Sequence, residues 1–185
     1  MTAHPRPASL RDELRQRRPF RSPAQEAAVA VLRTADVVRR RLAAAVEPAG
    51  VTLAQYNVLR ILRGAHPEPL ATSAVAERLI EQTPGVTRLL DRLETQGWVA
   101  RARCPDDRRL VHCRVTPEGL ALLERLDPAV DAADDAALGA LGPRDLAALT
   151  ALLARVRQDT GHERPDEDRP DGEPAGAHPV ASRPT

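Results

Sequence analysis

The sequence predicts a mainly α-helical protein that contains a single two-stranded β hairpin. Over most of residues 24–160, apolar side chains recur every three or four positions, which is the period of an amphipathic helix. Between residues 98 and 115 the period falls to two, which is typical of β strands. The length of 185 residues fits one domain with extensions, because a domain usually takes about 100 to 200 residues.

Composition narrows the class of function. Lys and Arg total 27, all of them arginine, against 26 acidic residues, so the net charge of +1 does not by itself indicate a polyanionic partner. Aromatic residues make up only 2% of the chain, which disfavours stacking platforms for single-stranded nucleic acid. Two cysteines are too few for a disulfide scaffold, and no stretch approaches the roughly 20 apolar residues of a membrane span. We therefore expect a cytoplasmic protein that has no membrane partner.

The two ends of the chain differ in composition from the middle. Residues 1–23 contain six arginines, two acidic residues and four prolines, and are predicted to be a disordered basic arm. Residues 161–185 contain five prolines and six acidic residues, with too few apolar groups to offset the entropy of ordering. We therefore expect one domain over 24–160 and a disordered tail over 161–185.

Three helices are expected in the first half of the domain. Apolar positions spaced by three and four predict a long helix from 24 to 47. Thr52 begins a capping box, and the helix that follows it is expected to end at Gly64. A loop that contains two prolines then leads to Thr72 or Ser73, either of which can cap a short third helix.

A fourth helix is expected to begin at Thr83 and Pro84, since proline at the first helical position loses no hydrogen bond. Its apolar stripe leaves Thr87 and Arg88 on another face. Gly97 supplies a left-handed end to this helix. The stripe predicted to be buried consists of Val86, Leu89, Leu90 and Leu93.

A basic hairpin follows the fourth helix. Two alternating segments, 98–103 and 110–115, flank a charged turn over 104–109. Between residues 101 and 114, five arginines accompany only two aspartates, an excess of three positive charges. The near-neutral total therefore conceals a local concentration of basic charge.

Two more helices are predicted after the hairpin. Thr116 caps the first, with Pro117 at its first position, and Pro128 is expected to bend it. After Gly142 and Pro143, a last helix carries leucines at core spacing. The predicted order is therefore four helices, one hairpin and two helices.

A short helix, a turn, a second helix and a basic hairpin form the arrangement of a winged helix-turn-helix domain. A major groove about 12 Å wide admits one helix, and a thin basic hairpin can follow the DNA backbone beside it. The segment VTRLLDRLETQGWVARARCPDDRRLVHCRVTPEG, residues 86–119, resembles the multiple antibiotic resistance regulator (MarR) family of bacterial transcription factors. It contains the family's T-R, L-D-R-L, G-W-V and D-x-R elements at matching spacing, except that Val115 replaces the leucine before Thr116.

The resemblance implies a mainly α winged helix-turn-helix fold with six helices and a two-stranded β wing, in which N- and C-terminal helices form a dimerisation region. The reading head would span about 52–116, and the dimerisation helices would span about 24–47 and 117–160. The long helices have no role in a minimal winged helix, so a dimer interface explains them more simply than the closing of one monomer's core.

The resemblance also implies which residues contact DNA. Arg88 lies outside the buried stripe of its helix, so its expected exposure is consistent with a contact to DNA. In the wing, the residues alone do not choose between Arg108 and Arg109; the resemblance implies that Arg109 enters the minor groove and that Asp107 holds its guanidinium. The residues expected to bind DNA are Thr83, Pro84, Thr87, Arg88, Arg108 and Arg109.

Specific binding by such a domain generally uses two half-sites that are read by a two-fold dimer. The expected partners are therefore a palindromic double-stranded operator and a second copy of the chain. Members of the family commonly repress genes and release DNA when a small-molecule effector enters a pocket between the dimerisation helices and the reading head. The residues placed to line such a pocket are Val37, Arg40, Tyr56, Arg60 and His66.

Two other interpretations remain open from the sequence. Cys104 lies beside several arginines that could stabilise its thiolate, which would make the protein a redox-responsive regulator, whereas Cys113 is expected to be a small buried side chain. Alternatively, the winged helix contacts another protein and not DNA, and its affinity would then not depend steeply on salt. No phosphate-binding loop, catalytic carboxylate pair or nucleophile motif indicates an enzyme, and we expect neither a cofactor nor a metal site.

Overall fold

The computed structural model describes residues 9–80, 85–104 and 110–159, and it is mainly helical, as predicted. The chain divides into two compact units, Met1–Ala140 and Leu141–Thr185. The first unit contains α1 (Leu10–Glu13), α2 (Pro23–Val46), α3 (Leu53–Ala65), β1 (Leu70–Ala71), α4 (Thr72–Glu77), α5 (Val86–Thr95), β2 (Val99–Arg103), β3 (Val111–Val115) and α6 (Pro117–Leu138), with a 3₁₀ turn at Glu47–Ala49. The second unit contains α7 (Pro143–Asp159).

The core of the first unit lies around α3. Val58, Leu59 and Leu62 on this helix are almost completely buried, and full burial of each such side chain contributes about 1.5–3 kcal/mol. Helix α3 contacts α2, α4, α5, α6 and β3, while α2 packs along α6. Through α3, the long helices α2 and α6 are therefore joined to the elements of the winged helix.

The capping box at the start of α3 is confirmed. Thr52 Oγ1 accepts a hydrogen bond from the Gln55 backbone N–H, and Gln55 Oε1 accepts one from the Thr52 N–H. The helix continues through Ala65, so the prediction that Gly64 ends it is wrong. A glycine inside a helix costs only about 1 kcal/mol relative to alanine, and the burial of the preceding turns outweighs that cost.

The sheet has three antiparallel strands in the order β1-β3-β2, whereas two strands were predicted. Strands β2 and β3 pair along their whole length, and Cys113 and Val115 are buried on the predicted face. The additional strand β1 pairs Leu70 with Cys113. Two residues are too few to show an alternating pattern, which is why this segment was predicted to be a loop.

Helix α4 does not begin with the predicted side-chain cap. Its N-cap is Ala71, and neither Thr72 nor Ser73 caps it. The Thr72 hydroxyl instead donates to the Val111 carbonyl at 3.2 Å and lies 3.6 Å from the Cys113 sulfur. Thr72 therefore attaches the start of α4 to β3.

The start of α6 is fixed against the residues that follow α5. Thr116 caps α6, as predicted: its hydroxyl accepts from the Gly119 N–H at 3.1 Å and donates to the Gly97 carbonyl at 2.7 Å. Gly119 lies so close to the backbone of Trp98 that a Cβ atom at this position would overlap the Trp98 carbonyl oxygen. Pro128 lies inside α6 without ending the helix.

Part of the segment predicted to be a disordered arm has local structure. Ser9 caps α1 by accepting from the Asp12 N–H, and Arg11 donates to the Gln16 and Arg17 carbonyls. The short apolar and acidic turn around Leu10 thus forms a hydrogen-bonded unit, which counting arginines and prolines did not predict. Residues 1–8 and the predicted tail lie outside the described residues.

In the second unit, α7 begins at Pro143, as predicted. Leu146 and Leu149 are half-buried, but Leu152 and Val156 are 55% and 59% exposed although their spacing predicted burial. Within the described residues, no single helix is long and apolar enough to cross a membrane; α6 and α7 pass that test of length and composition only when they are taken together.

Candidate nucleic-acid interface

Helix α5 has one apolar and one polar face. Leu90 and Leu93 are fully buried, while Thr87 and Arg88 near the N-terminal end are exposed. In the part of the chain that the structure describes, no carboxylate is paired with Arg88. Its guanidinium is therefore free to bind an anionic or hydrogen-bonding partner.

Helix α5 begins later than predicted. Gly85 precedes it as N-cap with φ of +110°, and α5 starts at Val86, whereas Thr83 and Pro84 lie outside the described residues. A positive φ is readily adopted only by glycine, and it interrupts a right-handed helix. The end of the helix is as predicted, since Gly97 adopts φ of +74°.

The wing consists of β2, β3 and the segment that joins them, of which residues 105–109 lie outside the described residues. Arg103 and Arg114 are exposed on these strands, and Leu110 at the start of the second strand segment is 42% exposed. Arg114 Nη1 donates to the Pro67 carbonyl at 3.2 Å, which attaches β3 to the segment before β1. The base of the wing is therefore held on its β3 side by both this bond and the Thr72 hydroxyl.

On its β2 side, the wing is held by Arg101, which binds two acidic residues of α5. Arg101 Nη2 lies 2.6 Å from both Asp91 Oδ1 and Glu94 Oε2, and Arg101 Nε donates to Glu94 Oε2 at 2.8 Å. The hydrogen bonding of the Arg101 guanidinium to the Glu94 carboxylate, which accepts, is the main reason that the pKa of Arg101 is raised. Arg101 was predicted only as one of several basic strand residues, and the structure shows that it is paired.

A cleft of about 280 Å³ opens between the start of α4, the start of α5 and the wing. It is lined by Thr72, Ser73, Thr87 and Arg101, among others. Ser73 and Thr87, which are both exposed, thus border the same space as residues of the wing. Hydroxyl groups in such a position can donate to phosphate oxygens.

Comparison with known proteins identifies the family. A model of the MarR family matches residues 49–110, from the turn before α3 to the wing. The HTH-type transcriptional regulator FarR of Neisseria gonorrhoeae is 32% identical over 108 residues, which cover 58% of this chain and 73% of FarR. The chain belongs to the MarR family.

Solved MarR structures have the same fold. A MarR transcription factor from Planctomyces limnophilus is 37% identical, with a TM-score of 0.57 over 74% of this chain and 98% of that chain. A mutant of MarR from E. coli, complexed with operator DNA, is 25% identical, with a TM-score of 0.65 over 80% of this chain and 99% of that chain. Among the first curated relatives, the matched segment spans 63% to 73% of the relative's length.

Five residues predicted from the MarR resemblance lie outside the described residues, so their roles remain predictions. They are Thr83, Pro84, Asp107, Arg108 and Arg109. Thr87 and Arg88 are the predicted contact residues that the structure describes; both are exposed on α5, and Thr87 lines the cleft beside the wing.

The wing of this MarR protein contains two buried free thiols. Burial raises the pKa of the Cys113 thiol above its ordinary value of 9.0, although the Thr72 hydroxyl partly opposes this shift. At neutral pH Cys113 is therefore a protonated, packed side chain. Cys104 is 9% exposed at the end of β2, where its backbone N–H donates to the Leu110 carbonyl.

Of the residues predicted to line a MarR effector pocket, Val37 and Arg40 lie on α2, Tyr56 and Arg60 lie on α3, and His66 follows α3. Tyr56 is buried, and burial is the main reason that its pKa is raised. Arg60 is exposed and donates to Asn57 Oδ1 at 2.9 Å, and His66 is exposed beyond the end of the helix. Ten residues of helix correspond to about 15 Å, so Tyr56 and His66 do not form one compact cluster.

Sequence reasoning missed two ion pairs that position the MarR domain. Arg101 could have been found, because Asp91 and Glu94 share one face of α5 and the chain returns past them after the turn at Gly97. The pair between Arg63 and Asp127 joins residues 64 positions apart, and no local pattern indicates it.

Proposed function

We propose that the protein is a homodimeric, sequence-specific regulator of transcription that binds double-stranded DNA and acts as a repressor released by a small-molecule effector. The observation that carries the proposal is the exposed polar face of α5, which displays Thr87 and Arg88 beside a basic wing. A helix of this kind fits the major groove, and a hairpin beside it reaches the neighbouring minor groove. Regulators of transcription among the relatives, and a related structure that contains operator DNA, support the same function.

In this proposal, two elements divide the contacts with DNA. Thr83, Pro84, Thr87 and Arg88 lie at or before the start of α5 and meet base edges and phosphates in the major groove. Arg108 and Arg109 lie at the wing tip, where Arg109 enters the minor groove while Asp107 orients its guanidinium by a charge-assisted bond. Ser73, which lines the cleft, adds a hydroxyl donor for a phosphate.

A dimer is supported by apolar side chains that each unit leaves exposed. On α2, Val31 and Leu32 are 45% and 71% exposed, and on α7, Leu152 and Val156 are more than half exposed. Apolar residues clustered on long helices are typical of an interface between subunits. A two-fold dimer presents two copies of α5 to a palindromic operator.

We propose that a small-molecule effector regulates DNA binding by releasing the protein from its operator. The effector is proposed to bind near Tyr56 and Arg60 of α3, with His66 at the far end of the same helix. It can release the operator only if it binds more tightly to a spacing of the two reading heads that does not fit DNA. The proposal places the protein in the cytoplasm and assigns it no catalytic role and no cofactor.

The test begins with selection of bound duplexes from a random double-stranded library, followed by titration of the selected sequence. Arg88→Ala should cost about 1–3 kcal/mol and relax base preference at particular positions, because a side chain that contacts a base carries specificity. Arg109→Ala should weaken binding to most sequences, because minor-groove contacts depend mainly on groove shape. Arg125→Ala, at an exposed position of α6, is the matched control and should leave affinity unchanged.

The same titration separates the alternatives. Log affinity should fall steeply with log salt if phosphates are bound, whereas a module that binds only proteins selects no duplex at all. If the wild-type protein enriches no sequence, or if Arg88→Ala and Arg109→Ala both bind like the control, the proposed contacts are wrong. A redox-responsive regulator would lose DNA on mild oxidation, and Cys104→Ser would abolish that loss.

A further inference from the structure

Arg101 is distinguished from the other arginines on β2 and β3 by its environment. Its side chain is only 21% exposed, whereas Arg103 and Arg114 are exposed. Within the described residues, it is the arginine of these strands that pairs with carboxylates, those of Asp91 and Glu94. Its donors point towards α5 and not away from the protein.

The contacts of Arg101 add a polar link between two consecutive elements, α5 and β2, which also share the buried core through Leu90, Leu93 and Val99. Helix α5 and strand β2 meet at the turn around Gly97, and a turn by itself allows their angle to vary. Arg101 is the third residue of β2, and its side chain contacts Asp91 and Glu94 in the last two turns of α5. The Glu94 carboxylate also accepts from the Arg101 backbone N–H at 3.3 Å, so both the side chain and the strand itself are held.

The opposite edge of the sheet is already attached through other bonds. Thr72 donates to the Val111 carbonyl, and Arg114 donates to the Pro67 carbonyl. Arg101 is thus the polar link between the wing and α5 on the β2 side. Charge-assisted bonds of this geometry are both stronger and more directional than neutral hydrogen bonds.

We propose that Arg101 is a positioning residue for DNA recognition: by bridging Asp91 and Glu94, it fixes the wing at one distance and angle from α5. Two grooves can then be read together only in the correct register. Arg101 also pairs with two carboxylates of α5 and offsets one of their two negative charges, although it does not itself bind phosphate. The inference rests on the proposed function, since it concerns how the same interface discriminates between sequences.

Two variants test the role from both sides of the bridge. Arg101→Met keeps most of the aliphatic stem and removes the charge. Asp91→Asn combined with Glu94→Gln leaves Arg101 in place and changes only exposed positions of α5, so that folding is retained. Each variant, the wild type and Arg109→Ala are titrated with the selected duplex and with a scrambled duplex at several salt concentrations, after thermal unfolding has shown that each is folded.

The expected readout is the ratio of specific to non-specific affinity. Both bridge variants should lower this ratio by about tenfold or more, which is the scale of one lost base-pair contact. Arg101→Met should keep the wild-type salt slope, while Arg109→Ala should lower it by about 0.9, because the protein loses one positive charge that displaces counterions from the DNA. The double variant removes negative charge from the DNA-facing helix, so simple electrostatics predicts tighter binding, and a fall in specificity is expected only from lost positioning.

Three outcomes would overturn the inference. The first is an unchanged specificity ratio in the double variant. The second is a lower salt slope for Arg101→Met, because that result would make Arg101 a direct phosphate contact. The third is a wild-type protein that binds neither duplex, which would overturn the proposed function as well. Wild-type binding together with unaltered bridge variants would overturn the positioning role alone.

Discussion

At the scale of single residues, Gly119 is the position with the least space. Its neighbours are the backbone of Trp98 and the side chain of Val115, and the Trp98 carbonyl cannot move without shifting β2. Gly64 is the opposite case, because a Cβ atom there would meet nothing within 4 Å. The two glycines therefore respond to the same substitution in opposite directions.

We expect Gly119→Ala to lower the free energy of unfolding by about 1–3 kcal/mol, because the new methyl group overlaps fixed backbone atoms. Gly64→Ala should raise the free energy of unfolding by about 0.5–1 kcal/mol, because alanine loses less conformational entropy in a helix. Urea denaturation of the two variants and the wild type measures both effects. Equal stabilities for the two variants would contradict the close packing at Gly119.

The buried thiol of Cys113 should make stability depend on alkaline pH. Its pKa is raised in the folded protein, so the folded state retains the proton more strongly than the unfolded state does. The resulting stabilisation is complete below the ordinary pKa of 9.0 and is lost as pH rises through the higher folded value. The free energy of unfolding should therefore decline above about pH 9, where ionisation of the unfolded thiol begins.

Cys113→Ala provides the measurement that isolates this group. Denaturation curves of the variant should show a smaller decline between neutral pH and pH 10, while Cys104→Ala serves as the comparison at the other thiol. Tyr56 also has a raised pKa and contributes a similar decline at higher pH, so the variant reduces the pH dependence without removing it. A variant with the wild-type decline would exclude Cys113 as a cause.

Residue patterns predicted exposure well and pairing poorly. The positions of Thr87 and Arg88 follow from helical periodicity, because a buried stripe fixes which side chains face solvent. The pairing of Arg101 depends on how β2 returns past α5, and that path is set by the left-handed turn at Gly97 together with sheet packing. The sequence pattern predicts the turn at Gly97, but it does not predict the angle between α5 and β2 that results from the turn.

At the scale of elements, an ion pair links α3 to α6. Arg63 Nη1 lies 2.9 Å from both oxygens of Asp127, and the two side chains are 33% and 40% exposed. The partial exposure reduces the value of the pair, since water and salt screen it. The pair nonetheless joins the central helix of the reading head to a long helix outside it.

A double-mutant cycle of Arg63→Met and Asp127→Asn should give a coupling energy of about 0.5–1 kcal/mol at low salt. The coupling should shrink as salt is added, because the charges are partly exposed. Chemical denaturation at two ionic strengths measures it. A coupling energy of zero at low salt would show that the pair contributes nothing to the attachment of α3 to α6.

Element boundaries were predictable where a cap or a sharp change of period marks them. The capping box of α3, the Thr116 cap of α6 and the alternation of β2 with β3 are all local signals, and the structure confirms them. Strand β1 and the start of α4 are determined instead by pairing with β3, more than 35 residues away in the chain. A segment of two residues is too short to carry a sequence pattern that indicates such a distant partner.

At the scale of the whole molecule, the exposed apolar face of α2 predicts dependence on a second subunit. Leu32→Glu places a charge in that face and should weaken self-association by about tenfold or more, because burial of a leucine contributes about 1.5–3 kcal/mol. Gln96→Glu is the control, since it introduces the same charge at an exposed position at the end of α5, outside the long helices. Sedimentation equilibrium measures both dissociation constants, and identical values would exclude Leu32 from the interface.

Because Thr116 and Gly119 fasten the first turn of α6 to the end of α5, that turn must follow any tilt of the DNA-reading elements. Farther along α6, Pro128 lacks the amide that would donate to the carbonyl four residues earlier, so this helix is short of one backbone hydrogen bond there. A helix that lacks one backbone hydrogen bond bends most easily at that position. Pro128 would thus be the point at which the first half of α6 tilts relative to the second half.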